Sequence, residues 1–233
     1  MALQKLFFLA MGLFATGCAT THETVETDGV LDDGWSRALE IEVSSASEVS
    51  KGSASWLAPG LVITSSHFFL GKSNSFSVRV GENGVWQEAT VEVAEHPASL
   101  DLAILRVSLD SALAAPALPP VDICASPVLP AQKVFVVSAF KKIGTVSYGS
   151  PDYVTLNKGG RWTANLTGYF PEGTSGGAIY DSKTGCLAGV ISKRQKSWSS
   201  QGPQLYTTRF VTSAEISGFI RDSGVRLETQ AQR

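Results

Sequence analysis

The chain has 233 residues, 43% of them apolar and 17% charged, which is enough for one large domain or two small lobes around an ordinary core. A formal net charge of -2 with no basic run argues against a nucleic-acid partner. The 22 glycines and 10 prolines among many Val, Ser and Thr residues favour strands and turns over long amphipathic helices.

In chain order, Lys5 supplies a short positive segment, Leu6 to Phe14 an apolar run, and Ala15-Thr16-Gly17 small residues before Cys18. The run is too short to span a bilayer comfortably. It resembles a bacterial lipoprotein signal (residues 1–17) cut before Cys18, with Ala15 standing where leucine is usual and Cys18 carrying the lipid. An ordinary secretory signal is the alternative. Residues 18–36 are polar and acidic, with Glu23, Glu26, Asp28, Asp32 and Asp33, and read as a flexible tether.

From residue 37 short apolar runs alternate with turn residues. Leu39 to Val43 has period two, and Gly52 to Leu57, Pro59-Gly60 and Leu61 to Thr64 read as two strands about a turn. Phe76 to Val80, the turn Gly81 to Gly84, and Trp86 to Val93 form another pair, and Asp101 to Val107 completes a first lobe, residues 37–110. Residues 111–120, rich in Ala, Leu and Pro, are the expected inter-lobe linker. Val134 to Val137, Val146 to Leu156, Trp162 to Tyr169, Gly177 to Tyr180, Leu187 to Ser192 and Leu205 to Phe210 supply strands of a second lobe, 121–210. Thr212-Ser213-Ala214-Glu215 fits a capping box, Ile216, Phe219 and Ile220 follow at helical spacing, and Gly224 can end a helix over 212–223. Residues 225–233 are a tail.

The chemistry centres on Gly173-Thr174-Ser175-Gly176-Gly177. Glycines on both sides of a serine allow a sharp turn that presents its hydroxyl and lets backbone N–H groups converge. A serine needs a base, and the base needs an orienting group. His67 follows Leu61 to Ser66, and Asp101 opens Asp-Leu-Ala-Ile-Leu. The other two histidines are His22, in the tether, and His96, in an apparent loop. His96 is the alternative base.

The order His67, Asp101, Ser175 in these surroundings resembles the trypsin-like (chymotrypsin-fold) serine proteases, and within them bacterial glutamyl-endopeptidase and HtrA protease domains. The resemblance covers roughly residues 37–224 and does not extend to a PDZ domain. It implies an all-β fold of two six-stranded antiparallel barrels with a C-terminal helix. It implies that His67 acts as general base and then acid, that Asp101 orients it, and that Ser175 attacks the carbonyl, with the N–H groups of Gly173 and Ser175 as oxyanion hole. Thr174 departs from the Asp or Asn of many relatives and cannot pair with a freed N-terminus, so trypsin-style zymogen activation is not expected. Thr-Ser-Ser before His67 replaces a usual Thr-Ala-Ala with little change in bulk. The resemblance also places Tyr169 near the base of the primary specificity pocket and Ser192-Lys193-Arg194 on the strand that pairs with substrate backbone.

Cys124 and Cys186 either form one disulfide, which export permits, or are two separately buried thiols. No cofactor is expected, and three dispersed histidines without a close Cys/His/Asp cluster speak against a metal. The expected protein is a lipid-anchored or secreted serine endopeptidase of the bacterial cell envelope, a monomer acting on protein or peptide substrates. The alternative is an inactive trypsin-like fold used as a surface binding module.

Overall fold

Leu39, Ile41 and Val43 are fully buried, as their period-two spacing requires of a strand with one face on a core. In a computed structural model, which describes residues 28–70, 76–82, 85–108, 118–129, 132–139, 145–148, 164–167, 170–197 and 205–227, they lie on β1 (Ala38–Ser45). With β2 (Val49–Ala58), β3 (Leu61–Thr64), β4 (Phe76–Glu82), β5 (Val85–Ala94) and β6 (Ala103–Val107) this strand closes an antiparallel barrel in the order β1-β2-β3-β6-β5-β4. The barrel is filled by Leu39, Ile41, Val43, Trp56, Val62 and Leu105. Glu42 is the one buried polar residue of β1. Its carboxylate is held by Arg79 of β4 and, at 3.0 Å, by Lys51 of β2, and these two cations keep it below the usual carboxylate range.

The second lobe is β7 (Lys133–Val137), β8 (Thr145–Tyr148), β9 (Ala164–Thr167), β10 (Ala178–Asp181), β11 (Leu187–Ser197) and β12 (Leu205–Thr212), antiparallel in the order β8-β7-β10-β11-β12-β9. Of the two expected barrels the first is closed, and closure of the second is not seen among the described residues. Closure requires the edge strands to bond to each other, and among the described residues β8 pairs only with β7 and β9 only with β12. The second sheet is six-stranded but open between them.

The lobes share a core. Leu57, Ile63, Leu102 and Ile104 of the first pack with Val137, Tyr180, Val190 and Val211 of the second. Tyr180 is fully buried at this seam, its hydroxyl is 2.9 Å from Ser55 Oγ, and burial pushes its pKa up to about 12. Cys124, beside the inter-lobe connection, is bonded to Cys186 in the turn after β10.

Two helices flank the sheets. The segment read as tether is helical over its last nine residues, α1 (Asp28–Ser36). Tertiary contacts explain the difference. Trp35 packs on the shared core, a Cβ on Gly34 would sit 3.1 Å from Tyr180, and Arg37 donates to Asp33 and to Pro119 O, each at 3.0 Å. At the other end α2 (Ser213–Ser223) begins with both halves of the capping box between Thr212 and Glu215 and stops at left-handed Gly224 (φ 71°). Its Ile216 and Phe219 pack on the shared core.

Candidate active site

The β2–β3 hairpin ends in three buried hydroxyl residues, Thr64, Ser65 and Ser66, the last opening a 3₁₀ turn, Ser66–Phe69, that carries His67. Each hydroxyl has a partner. Thr64 Oγ1 donates to Ser53 O (2.8 Å), Ser65 Oγ crosses the seam to Ile191 O (2.7 Å), and Ser66 Oγ donates to Asp101 Oδ1 (3.2 Å). The two serines where the family often has alanines therefore do more than match alanine in bulk.

Asp101 stands between buried Leu100 and Leu102 and is itself only 6% exposed. A carboxylate so placed must be hydrogen-bonded. Its Oδ1 accepts from the His67 backbone N–H (2.8 Å) and Ser66 Oγ, and its Oδ2 lies 2.8 Å from His67 Nδ1 and accepts from Ser192 Oγ (2.5 Å). Burial pushes its pKa up, but the bonds and charge of His67 and the Ser192 hydroxyl outweigh burial and hold the carboxyl below its ordinary value. A charged oxygen at Nδ1 favours the imidazole tautomer with the proton on Nδ1 and leaves Nε2 as acceptor. The imidazole side chain is 32% exposed and leans on the Phe68 ring.

The glycine-flanked loop is pinned at three successive carbonyls. Ser53 Oγ donates to Gly173 O (2.8 Å), Gly177 N to Thr174 O (2.9 Å), and Ser53 N to Ser175 O (2.9 Å). On the donor side Thr174 N reaches Pro171 O (3.3 Å) and Gly176 N reaches Ile191 O (2.8 Å). Among the described residues the N–H groups of Gly173 and Ser175 have no such acceptor. Both Gly173 (φ 89°) and Gly176 (φ 81°) are left-handed, and a Cβ on Gly176 would run into Ser53 O and the Thr64 hydroxyl. Buried Thr174 donates through Oγ1 to Pro171 O (2.7 Å), so the loop closes on itself. Gly52 borders both halves of the site, because a Cβ there would overlap Phe68 and lie 3.1 Å from Ser175 O. Among the described residues no hydrogen bond joins Ser175 Oγ to His67.

Beside Ser175 is a cavity of about 200 Å³ walled by Phe170, Pro171, Ile191, Arg194 and Thr208. Arg194 Nη2 lies 3.6 Å from Glu172 Oε1. Tyr169, expected at the pocket base, lies outside the described residues. The next strand is β11. Its pairing with β10 ends at Ala178↔Val190, whereas its pairing with β12 runs on through Lys193 and Arg194. Among the described residues no strand pairs with the other edge of Ser192 and Lys193. Lys193 and Arg194 are exposed, whereas the Ser192 side chain turns inward to Asp101. His96 is exposed and its Nδ1 accepts from Ala98 N, away from Asp101.

Sequence reasoning missed Ser53 and the role of Ser192. The expected role of Ser192 concerns its backbone on the strand that meets substrate, and the bond of its side chain to Asp101 is an addition that the sequence does not announce. Ser53 carries no motif, and only the fold brings it to Gly173, 120 positions away.

A closed β barrel and a β sheet meeting at a seam, with a histidine–carboxylate pair on one side and a glycine-flanked serine on the other, define a two-lobed β peptidase. The chain belongs to the trypsin-like peptidase domain family, whose profile matches residues 52–190. Among solved structures it is similar to the Rv3671c protease from M. tuberculosis in its active form (21% identity, 84% of this chain and 85% of that one, TM-score 0.61). It is also similar to the HtrA-type protease AlgW with a tripeptide (20%, 87% and 64%, TM-score 0.62) and to the serine endoprotease from Yersinia pestis (17%, 84% and 66%, TM-score 0.60). At these identities the likeness is one of fold. A search of curated protein sequences returns no match.

Proposed function

We propose that this protein is a serine endopeptidase that cleaves peptide bonds through an acyl-enzyme. In this reading His67 Nε2 takes the Ser175 proton as Oγ attacks the scissile carbonyl, and then delivers it to the leaving amine. Asp101 holds the ring and stabilises its cation. The N–H groups of Gly173 and Ser175 receive the developing oxyanion. The cavity beside Ser175 takes the side chain before the cut, and the edge of Ser192 to Arg194 facing away from β12 pairs with substrate backbone, a strand-addition mode of recognition.

The observation that carries the reading is the pinned loop. Its neighbouring peptide groups are bonded to Ser53, Ile191 and Pro171, while among the described residues the two N–H groups an oxyanion needs have no acceptor. The experiment is labelling of residues 20–233 with a fluorophosphonate beside Ser175→Ala. Labelling of the wild type alone supports the mechanism. A folded protein that does not label is a latent or inactive module. One observation favours that second reading: among the described residues Ser175 Oγ has no bond to His67. In substrate-free peptidases this contact is commonly long and tightens on binding, so the enzyme reading stands first.

For the N-terminus we propose export and lipidation at Cys18, which places the catalytic domain at the bacterial cell envelope. Metabolic labelling with a palmitate analogue, lost in Cys18→Ser, tests it. Retained labelling in that variant overturns it.

A further inference from the structure

The hydroxyl of Ser53 lies on the opposite lobe from the nucleophile loop and is completely buried. It lies 2.8 Å from Gly173 O and 2.6 Å from Ser138 Oγ. A carbonyl can only accept, so the single Ser53 hydroxyl proton points to Gly173, and Ser138 must be the donor to Ser53. The direction of the chain is therefore Ser138, then Ser53, then Gly173. The first bond polarises the second, and burial strengthens both. The backbone of the same residue grips the loop again two residues on, where Ser53 N donates to Ser175 O at 2.9 Å. Its own carbonyl is fixed by Thr64 Oγ1 at 2.8 Å.

We propose that Ser53 is a positioning residue for the oxyanion hole, with Ser138 as its support. The inference rests on the catalytic reading of Gly173 and Ser175. A peptide plane is rigid, so fixing Gly173 O fixes the Thr174 N–H on its far side, which donates to Pro171 O (3.3 Å). With that plane locked and Gly173 itself left-handed (φ 89°), the orientation of the preceding peptide, whose N–H belongs to Gly173, is limited to rotation about one residue. Among the described residues the Ser53 hydroxyl is the one hydrogen-bond partner of Gly173 O. Without it the plane can turn, and the rotation at Gly173 no longer holds the preceding peptide, which carries the Gly173 N–H, toward the substrate oxygen. Among the described residues Thr174 is bonded only to Pro171 and Gly177, so a neutral hydroxyl relay supplies the hold on the Gly173 carbonyl from the opposite lobe.

The test compares Ser53→Ala with Ser55→Ala. Ser55 is on the same strand, is equally buried and also bonds across the seam, but its partner is Tyr180, outside the nucleophile loop. The expected result for Ser53→Ala is a fall in kcat of about tenfold to a hundredfold with KM within about twofold, because an oxyanion donor acts on the transition state. The affinity of a peptide aldehyde, whose hemiacetal oxygen occupies the same hole, should fall in parallel. Ser55→Ala should leave both unchanged while lowering the melting temperature by a similar amount. Equal losses of kcat in the two variants, or a change confined to KM, overturn the proposal.

A readout independent of turnover separates this from the catalytic reading. Amide hydrogen exchange of the peptide spanning 171–177 should quicken in Ser53→Ala and not in Ser55→Ala. Unchanged exchange in Ser53→Ala overturns the positioning role whatever the activity. A wild type that neither labels nor turns over substrate, yet shows the exchange difference, overturns the catalytic reading and leaves the loop-holding role of Ser53 supported.

Discussion

Asp101→Asn is the substitution that most directly probes the site. The carboxylate receives four donors, two on each oxygen: the His67 backbone N–H and Ser66 on Oδ1, and His67 Nδ1 and Ser192 on Oδ2. Asparagine offers only one oxygen and must turn its NH₂ toward one of these pairs. Facing Oδ1's pair, the NH₂ would meet the His67 backbone N–H, at 2.8 Å in the native site, which cannot turn round or become an acceptor. Facing Oδ2's pair, it meets groups that can adapt, because Ser192 can rotate its proton and His67 Nδ1 can accept. The second orientation wins, and it forces the His67 proton onto Nε2. Neutral imidazole then has no lone pair left for the Ser175 hydroxyl. The expected loss in kcat is on the order of 10⁴, as for a triad held in the wrong tautomer, which is about 5 kcal/mol of transition-state stabilisation. Stability should fall much less, by about 1–3 kcal/mol, since most donors keep partners. Fluorophosphonate labelling rates and peptide turnover near pH 7, with urea unfolding alongside, measure both. Activity within tenfold of wild type, in a protein that Ser175→Ala inactivates, would show that Asp101 does not set the state of the base.

Gly176→Ala should abolish labelling and destabilise by about 2 kcal/mol or more, since it adds a Cβ at φ 81° against Ser53 O; urea unfolding and labelling check it. Replacing Cys124 and Cys186 together by serine opens a loop of sequence separation 62, and the loop-entropy relation gives about 4 kcal/mol of lost stability. Intact mass with and without reductant, and the urea midpoint, test this. Asp181 is pushed up by burial but held below its ordinary pKa by Thr184 and Lys183 N–H groups, the Thr184 hydroxyl and Gln132. Its folded pKa lies below the unfolded one, so its contribution is complete above the unfolded value of about 4 and is lost as pH falls through the folded value. Asp181→Asn should melt earlier than wild type at pH 6, and the gap should close in acid.

What the sequence made legible was whatever recurs locally. Period two located β1, apolar runs about the Pro59-Gly60 turn located the β2–β3 hairpin, and the capping box located α2, because each signal is complete within a few residues. His67, Asp101 and Ser175 could be singled out because each sits in a short distinctive setting. Residues whose meaning depends on a distant partner were not legible. Ser53 and Gly173 are 120 positions apart, and Ser192 and Asp101 are 91 apart. Nothing in Gly-Ser-Ala-Ser or Ile-Ser-Lys announces either contact. The helix α1 was hidden for the same reason: its acidic sequence has no strong apolar stripe, and it is fixed by Trp35, Gly34 and Arg37 meeting surfaces made elsewhere. Closure of the second sheet depends on how β8 and β9 meet, and both are four-residue edge strands with no pairing signal in their sequence.

The seam between the lobes shows how such a site is held to tolerance. Its apolar part, from Leu57 and Ile104 to Tyr180 and Val211, supplies most of the adhesion, but hydrophobic burial is non-directional and allows the lobes to slide. Hydrogen bonds are directional and fail within tenths of an ångström. The seam carries a row of them, nearly all from small hydroxyls: Ser53 to Gly173 and Ser138, Ser55 to Tyr180, Ser65 to Ile191, and Ser192 to Asp101. Serine suits the task because it costs little side-chain entropy to fix and fits between backbones that must approach closely. Three of these contacts end on the nucleophile loop, the Asp101 carboxylate or the strand beside the pocket. Relative placement of the base and the nucleophile is thus set by short polar links rather than by the core itself. The consequence is a separation of roles: truncating Leu57 or Val211 should loosen the protein while sparing kcat in the folded fraction, whereas truncating a seam serine beside the site should lower kcat in the folded fraction as well as stability.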